Sequence, residues 1–301
     1  MKVVVLGTGG IGAYYGGRLA LAGHDVTCLA RGANLAAIHA HGLEIRAPEG
    51  TVRSRLAATD RVEDLGAADF AILAVKSYSL GEIAPAVRRV AERGATVVPF
   101  LNGVETTREL VALGVPPSAL VGGLSLISVV RVEPGVVERR SPFQIVVVGE
   151  LDGRKTERVE RIVAVFREAG AEARLSTCIE VELWQKFVFI TTVAAACGLA
   201  RSPIGPLRDT PLGQRLLERA AREVVAVGRA RGIALPESEV ARVMGVIAGL
   251  PPATKPSFLV DLEAGRPTEL EILSGAVSRF AQEAGIETPV HDTAAVALAA
   301  R

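Results

Sequence analysis

Short apolar runs alternate with longer helix-compatible segments through the first half of the chain. The predicted strands cover residues 3–6, 25–29, 70–75, 96–98, 121–130 and 145–148. The predicted helices between them cover residues 11–22, 35–41, 80–93 and 156–168. Such alternation is typical of βαβ units with right-handed crossovers, which place helices on both faces of a largely parallel sheet. We therefore predict an α/β domain with a doubly wound sheet over residues 1–175.

The second half of the chain has a different pattern. After an apolar run at residues 173–175 the strand signals cease, and apolar residues recur at helical spacing. The predicted helices cover residues 179–200, 212–231, 238–248, 257–264, 269–284 and 291–300. We predict an all-helical domain over residues 176–301, because a chain of 301 residues is long enough for two cores.

Composition and charge exclude one large class of partner. Apolar residues make up 49% of the chain and charged residues 22%, which is typical of a folded globular protein. The net charge is only +1, and aromatic residues make up 4%. We expect no nucleic-acid partner, because such a surface needs grouped cations or stacking rings.

The cysteines and the longest apolar stretch bear on location. Cys28, Cys178 and Cys197 are widely spaced and lack metal-ligand neighbours, so we expect reduced thiols and no bound metal. The uncharged stretch 187–200 is shorter than the ~18 to 20 residues that a bilayer crossing needs, and no signal peptide is evident. These features predict a cytoplasmic protein with no membrane partner.

A glycine-rich motif follows the first predicted strand and precedes an apolar helix pattern. The motif has the form GxGxxG and consists of Gly7, Thr8, Gly9, Gly10, Ile11 and Gly12. In this context the first glycine permits a tight turn, the second lets the backbone approach a pyrophosphate, and the third lets the helix pack closely on the strand. Free amides at the helix N-terminus would bind the anion. The motif predicts a dinucleotide-binding, Rossmann-type domain; a purely structural glycine turn is the alternative.

The end of the second predicted strand bears on which dinucleotide is bound. Its sequence, TCLAR, ends at Arg31 and lacks the acid that usually accepts a hydrogen bond from the ribose 2′-hydroxyl of NAD. The Arg31 guanidinium could instead form a charge-assisted fork with a 2′-phosphate. We therefore expect NADP rather than NAD, and a solvated arginine at a helix start is the alternative.

Further segments, together with this motif, resemble the ketopantoate reductase (2-dehydropantoate 2-reductase) family over almost the whole chain. They are GTGGIGAYYGGRLA near the N-terminus, LAR at the second strand end, AVKSY at 74–78, LNGV at 101–104, LWQK at 183–186 and PSFLVDLEAGRPTELE at 256–271. The resemblance implies a Rossmann-type domain followed by a helical domain. It also implies an oxidoreductase that uses NADPH to reduce a small 2-oxo acid, with ketopantoate, the precursor of pantoate in pantothenate and coenzyme A biosynthesis, as the first expectation.

The resemblance implies roles for individual residues. Lys186 would bind the substrate and donate a proton to its carbonyl, and Glu269 would bind the substrate and orient the ammonium group, which suits the negative charge that develops on a reduced ketone oxygen. Asn102 would contact the cofactor or the substrate, Lys76 the cofactor or the substrate carboxylate, and Ser257 the substrate. Each residue also has a structural alternative. Lys186 could be a snorkelling lysine, Glu269 a first-turn helix acid and Asn102 a turn former. Lys76 could face the solvent, and Ser257 could be a helix cap.

The chain departs from the family pattern after Lys186. Family members commonly carry Asn four and eight residues beyond this lysine, whereas this chain has Ile190 and Ala194. Two lost amides remove hydrogen bonds that would recognise a hydroxylated substrate, and such bonds discriminate strongly. The 2-oxo acid could therefore be more apolar than ketopantoate.

The sequence is also compatible with other functions and with a homodimer. A 3-hydroxyacid or imine-forming dehydrogenase would share the predicted layout, and a non-catalytic NADP-binding sensor would keep the cofactor motif. The apolar helices of the second half could bury a homodimer interface or only their own core.

Overall fold

Contacts between residues divide the chain into two compact units. The computed structural model describes residues 1–299, so the ends of the predicted last helix and second domain lie outside the described residues. Unit 1 comprises Met1–Leu101 and Glu105–Ile179, and unit 2 comprises Asn102–Val104 and the chain from Glu180 onward. Unit 1 is α/β with a parallel sheet and unit 2 is helical, which confirms the predicted fold class.

The elements of unit 1 alternate between strands and helices. Its strands are β1 (Lys2–Leu6), β2 (Asp25–Leu29), β3 (Leu43–Ala47), β4 (Gly50–Ser54), β5 (Ala57–Thr59), β6 (Phe70–Leu73), β7 (Thr96–Pro99), β8 (Gly122–Leu126), β9 (Val129–Glu133), β10 (Val136–Arg139), β11 (Ile145–Gly149) and β12 (Glu172–Leu175). Its helices are α1 (Gly10–Leu21), α2 (Gly32–His41), α3 (Leu80–Glu92), α4 (Thr106–Ala112) and α5 (Glu157–Glu168).

A five-stranded parallel sheet, in the order β5-β2-β1-β6-β7, forms the centre of unit 1. Leu6 at the end of β1 is in register with Leu29 of β2 and Leu73 of β6. The carboxyl ends of these three strands therefore lie together at one edge. The strand order reverses direction at β1, and ligands of doubly wound sheets bind at such a reversal.

Two smaller sheets, in the orders β4-β3-β10-β9 and β12-β11-β8, differ from the prediction. They contain antiparallel pairs, so the expected parallel pairing holds throughout only the five-stranded sheet. The single predicted strand 121–130 is wrong, because β8 pairs with β11 whereas β9 pairs with β10. The sequence of residues 121–130, VGGLSLISVV, has no charged residue or proline to reveal that the chain changes sheets at residues 127–128.

The prediction also lacks β3, β4, β5 and β10. In β3, the buried side chains of Leu43 and Ile45 alternate with those of Glu44 and Arg46, which form an ion pair. A short strand that buries only one face offers too few apolar positions to be distinguished from a loop.

Unit 2 consists of helices around one apolar core. They are α6 (Ile179–Ala200), α7 (Ile204–Arg208), α8 (Pro211–Ala230), α9 (Glu239–Ala248), α10 (Ser257–Glu263), α11 (Ala276–Ala284) and α12 (Pro289–Ala299), and a π-helical turn (Glu271–Gly275) precedes α11. The predicted helix 179–200 is confirmed at both ends. The predicted helix 269–284 begins later, at the π-helical turn, and the short helices α4 and α7 were too brief to show a periodic pattern.

Helix α6 is the longest described helix of unit 2. By length and composition alone it is apolar enough to cross a membrane, but 61% of its most apolar window is buried within the protein. The Trp184 ring packs at 5.4 Å from that of Phe187 and 6.1 Å from that of Phe280. These contacts are those of a core helix.

One buried side chain connects three segments of unit 1. The Asn34 amide nitrogen donates to the carbonyl oxygen of Thr8 at 3.3 Å and to its hydroxyl at 2.8 Å. The Asn34 carbonyl oxygen accepts from the backbone N–H of Gly135 at 2.8 Å, in the turn between β9 and β10. Asn34 therefore links the glycine-rich turn, helix α2 and the β9–β10 hairpin.

We expect Asn34→Ala to lower the free energy of unfolding by about 2–4 kcal/mol, because it leaves the buried partners without hydrogen bonds. Asn34→Asp keeps an acceptor for Gly135 but buries a carboxylate against the carbonyl oxygen of Thr8, so its loss should be at least as large as that of Asn34→Ala. Urea unfolding followed by circular dichroism measures both. Wild-type stability in Asn34→Ala would contradict a linking role.

Candidate functional site

The glycines of the turn after β1 are required for different physical reasons. Gly7 has a φ of 99°, and a Cβ there would lie 2.8 Å from the carbonyl oxygen of Ala74. A Cβ on Gly12 would collide with the carbonyl oxygen of Gly7. These two positions need glycine for the turn and for close packing of helix α1 on the sheet.

Gly9 is different, because neither packing nor backbone conformation requires a glycine there. Its φ is −72°, and a Cβ would meet no protein atom nearer than the carbonyl oxygen of Ala74 at 4.0 Å. The space that a side chain would occupy opens into a pocket. A ligand that must approach the backbone closely is the physical reason for a glycine in such a place.

The pocket lies at the carboxyl edge of the parallel sheet and has a volume of about 220 Å³. The glycine-rich turn, the end of β2 and the start of α3 line it, together with one residue of β9. The lining residues are Gly7, Thr8, Gly9, Leu29, Ala30, Arg31, Asn34, Val75, Ser79, Glu82, Ile83 and Arg131. Of the predicted cofactor residues, it thus brings together Gly7, Thr8, Gly9 and Arg31, while Gly10 and Ile11 follow in the first turn of α1.

Three charged side chains line the pocket. Arg31, at the N-terminal cap of α2, forms an ion pair with Glu82 in the first turn of α3. Arg131 projects from β9, a strand that runs so close to the turn that a Cβ on Gly10 would lie 2.5 Å from the carbonyl oxygen of Val129. Two cations and one carboxylate give the pocket a net positive charge, which suits an anionic ligand.

Asn34, Glu82 and Arg131 were not predicted from the sequence. Asn34 has the residue type of a helix start, and the run from Ser79 to Glu82 has the spacing of a helix capping box, so both have a local structural explanation. Arg131 lies at an exposed strand position with no motif around it. Only the pairing of distant strands places Arg131 at the pocket.

Lys186 occupies a half-buried position near the start of helix α6 in unit 2. Burial lowers the pKa of its ammonium group to about 8, and the carboxylate of Glu269 opposes part of that shift. A lysine with such a pKa is protonated at neutral pH but gives up its proton far more readily than a solvated lysine does. Lys186 therefore has the properties of a general acid.

Glu269 is held beside this lysine by its own surroundings. Its side chain is 5% exposed and accepts a hydrogen bond from the side-chain amide of Asn102 at 3.1 Å. Glu269 precedes the π-helical turn, in irregular backbone, so the interpretation as a first-turn helix acid is wrong. Irregular helical turns of this kind often occur at functional sites.

Asn102 belongs to unit 2 although the surrounding sequence belongs to unit 1. The next residue, Gly103, has a φ of 87°, and its ideal Cβ would lie 3.3 Å from the side chain of Ile272. Val104 packs against the apolar core of unit 2. This three-residue insertion brings the Asn102 amide to Glu269.

Two predicted site residues, Lys76 and Ser257, are not among the residues that line the pocket. Lys76 is half-buried just after β6 and has polar contacts of its own, but it does not line the pocket. Ser257 is the first residue of α10 and is exposed. The N-cap of that helix is Pro256, so the interpretation of Ser257 as the cap is wrong.

The helix positions after Lys186 are apolar in their surroundings as well as in their side chains. Ile190, one turn beyond Lys186, is partly buried against the core of unit 2, and Ala194 is 3% exposed within that core. Ile190 is therefore the nearer of the two to the lysine along the helix, and Ala194 is a packing residue.

Within residues 1–299 there is no group of three or more His, Cys, Asp or Glu side chains arranged to hold a metal ion. The three cysteines are free thiols, and burial raises the pKa of Cys28 and Cys197 to about 12. Such thiols stay protonated and are poor nucleophiles.

Comparison with known proteins agrees with the division into two units. Residues 3–153 match the family described as "Ketopantoate reductase PanE/ApbA", and residues 179–301 match its C-terminal family. The 2-dehydropantoate 2-reductase of Halobacterium salinarum is 33% identical over 297 residues, which cover 98% of this chain and 97% of that protein. An uncharacterised oxidoreductase of Bacillus subtilis is 30% identical over 293 residues, or 97% of this chain and 96% of that protein.

A solved structure gives the same result for the fold. A ketopantoate reductase of the same family from Ralstonia eutropha superposes with a TM-score of 0.90 at 27% identity, covering 99% of this chain and 97% of that chain. The matches span both units, and they include relatives at 30% identity or more. The chain belongs to the ketopantoate reductase family of oxidoreductases.

Proposed function

We propose that this protein uses NADPH to reduce a 2-oxo acid, with ketopantoate, the precursor of pantoate in pantothenate and coenzyme A biosynthesis, as the first substrate to test. The observation that carries the proposal is the set formed by Lys186, Glu269 and Asn102. A half-buried lysine with a lowered pKa, paired with an oriented carboxylate, supplies a proton donor that a protein which only binds a dinucleotide does not need. Family membership supports the same reaction.

The residues of unit 1 fit a dinucleotide. Gly9 leaves room for a pyrophosphate against the backbone, and the N-terminus of α1 supplies amides and a favourable dipole. Arg31 lines the same pocket and suits a 2′-phosphate, which supports NADPH over NADH. Lys76 and Asn102 remain proposed contacts of the cofactor.

In the proposed reaction, NADPH supplies a hydride to the carbonyl carbon of the 2-oxo acid. The negative charge that develops on the carbonyl oxygen is stabilised by the Lys186 ammonium group, which donates its proton to that oxygen. Glu269 keeps the ammonium group charged and oriented, and Asn102 fixes the Glu269 carboxylate through its hydrogen bond. Lys186, Glu269, Asn102 and Ser257 are the proposed substrate contacts.

A second candidate substrate is a 2-oxo acid with an apolar side chain. Ile190 lies one helical turn beyond Lys186 and presents carbon atoms where the family commonly carries an amide. Such a surface would form no hydrogen bond with a substrate hydroxyl, and burying an unpaired hydroxyl is costly. Cys28, Cys178 and Cys197 form no disulfide, which supports a reducing cytoplasm as the location.

Purified protein should oxidise NADPH in the presence of ketopantoate or of an apolar 2-oxo acid, and Lys186→Ala should lower kcat/KM about 10²- to 10⁴-fold. Loss of NADPH absorbance with a panel of 2-oxo acids measures this. The exposed Lys155 of unit 1 offers a matched control, since Lys155→Ala should leave the rate unchanged. Binding of NADPH without turnover of any 2-oxo acid would contradict the proposed function and favour a sensor.

The pH dependence should follow the Lys186 proton. Because the acid must be protonated, kcat/KM should fall as the pH rises through about 8, the pKa of Lys186. Glu269→Gln removes the carboxylate that raises this pKa, so the alkaline limb should move to lower pH. A profile of kcat/KM against pH for both proteins measures the shift, and an alkaline limb that stays in place in Glu269→Gln would exclude the proposed pairing.

Arg31→Ala should raise the KM for NADPH by about 10- to 100-fold, because it removes a charge-assisted contact to the 2′-phosphate. The KM for NADH, which lacks this phosphate, should change little. Arg154→Ala, at an exposed arginine of unit 1 that pairs with Asp152, serves as the control. Equal losses with both dinucleotides would show that Arg31 does not read the phosphate.

A further inference from the structure

Glu82 combines two properties that do not normally occur together at a phosphate site. It is an anion, and it lines the pocket beside the proposed 2′-phosphate ligand Arg31. Arg31 follows β2 and Glu82 lies in the first turn of α3, 51 residues further along the chain. The pair therefore exists because the fold brings two separate strand–helix connections to one place.

The side chain of Glu82 is not used to cap its own helix. Ser79 and Glu82 have the spacing of a capping box, in which the glutamate would turn back to the backbone of the serine. In the structure Ser79 makes no side-chain cap, and the backbone N–H of Ser79 donates to the carbonyl oxygen of Lys76 at 2.9 Å. The Glu82 carboxylate turns instead toward the guanidinium of Arg31.

The ion pair is accessible to water and therefore easy to rearrange. The side chain of Arg31 is 57% exposed and that of Glu82 is 64% exposed. Ion pairs in such surroundings contribute little to stability, because solvent and salt screen them. The pair therefore adds little to the stability of the fold, but it lies where it can act on a ligand.

NADPH carries a 2′-phosphate where NADH carries a 2′-hydroxyl. Glu82 disfavours the phosphate and favours the hydroxyl. A 2′-phosphate must compete with the Glu82 carboxylate for Arg31, and the two anions repel each other. A 2′-hydroxyl can instead donate a hydrogen bond to a carboxylate, the interaction that NAD-binding proteins usually obtain from an acid at the end of β2. This chain has no acid there, and α3 supplies one from another direction.

We propose that Glu82 is a specificity-determining residue that weakens NADPH binding and favours NADH. The preference of the pocket for NADPH is therefore smaller than it would be with Arg31 alone. The inference rests on the proposed function, since it assumes that a nicotinamide dinucleotide occupies this pocket. Arg131 lies in the same pocket and keeps it positive whichever partner Arg31 takes.

The test is the variant Glu82→Gln, which removes the charge and keeps the size and an acceptor oxygen. The dissociation constants of NADPH and NADH are measured by titrating nicotinamide fluorescence at low and high salt. The Kd of NADPH should fall about tenfold, which corresponds to about 1.4 kcal/mol. The Kd of NADH should not fall, and the gain for NADPH should shrink at high salt.

Glu92→Gln, at an exposed glutamate in the last turn of the same helix, is the matched control and should leave both constants unchanged. An unchanged ratio of the two constants in Glu82→Gln would overturn the inference, and so would an equal gain for both dinucleotides, which reports only a general loss of negative charge. If the unaltered protein bound neither dinucleotide, the proposed function would itself be wrong, and that result is distinct from an unchanged ratio.

Discussion

Helix α1 approaches the strands of unit 1 closely, and glycines occupy positions of contact. A Cβ on Gly16 would lie 3.1 Å from the side chain of Val5, and one on Gly17 would lie 2.7 Å from that of Ile45. Helix α1 is thus packed against side chains of both the parallel sheet and the β3-containing sheet. This tight approach places the first amides of α1 at the pocket, so the anion site of unit 1 is a consequence of how its core is packed.

Unit 2 meets a different constraint, the cost of withdrawing a charge from water. Lys186 lies on the most apolar helix of the chain, and burial favours its neutral form. The carboxylate of Glu269 offsets part of this effect, and the hydrogen bond from Asn102 fixes that carboxylate. The lowered pKa of Lys186 is therefore set chiefly by burial, and the Glu269 carboxylate offsets part of the shift.

Local patterns could be predicted from the sequence, and long-range placement could not. The glycine-rich turn after β1 and helix α6 were predictable because the spacing of glycines or apolar residues over a few positions defines them. The pocket residues Glu82 and Arg131 were not, because each reaches the pocket only through pairing of strands and helices far apart in the chain. Family resemblance supplied Lys186 and Glu269, yet the contact of Glu269 with Asn102 emerged only from the fold.

Asn102–Val104 belongs to unit 2 but lies within the sequence that forms unit 1, so the two units are not two separate stretches of the chain. A fragment that encodes only the residues after Ile179 would lack the amide that fixes Glu269. If halves of related enzymes were exchanged at that boundary, Glu269 would meet an amide donated by the other parent. In the coding order of this protein, the amide that fixes Glu269 therefore lies within the stretch of chain that forms unit 1.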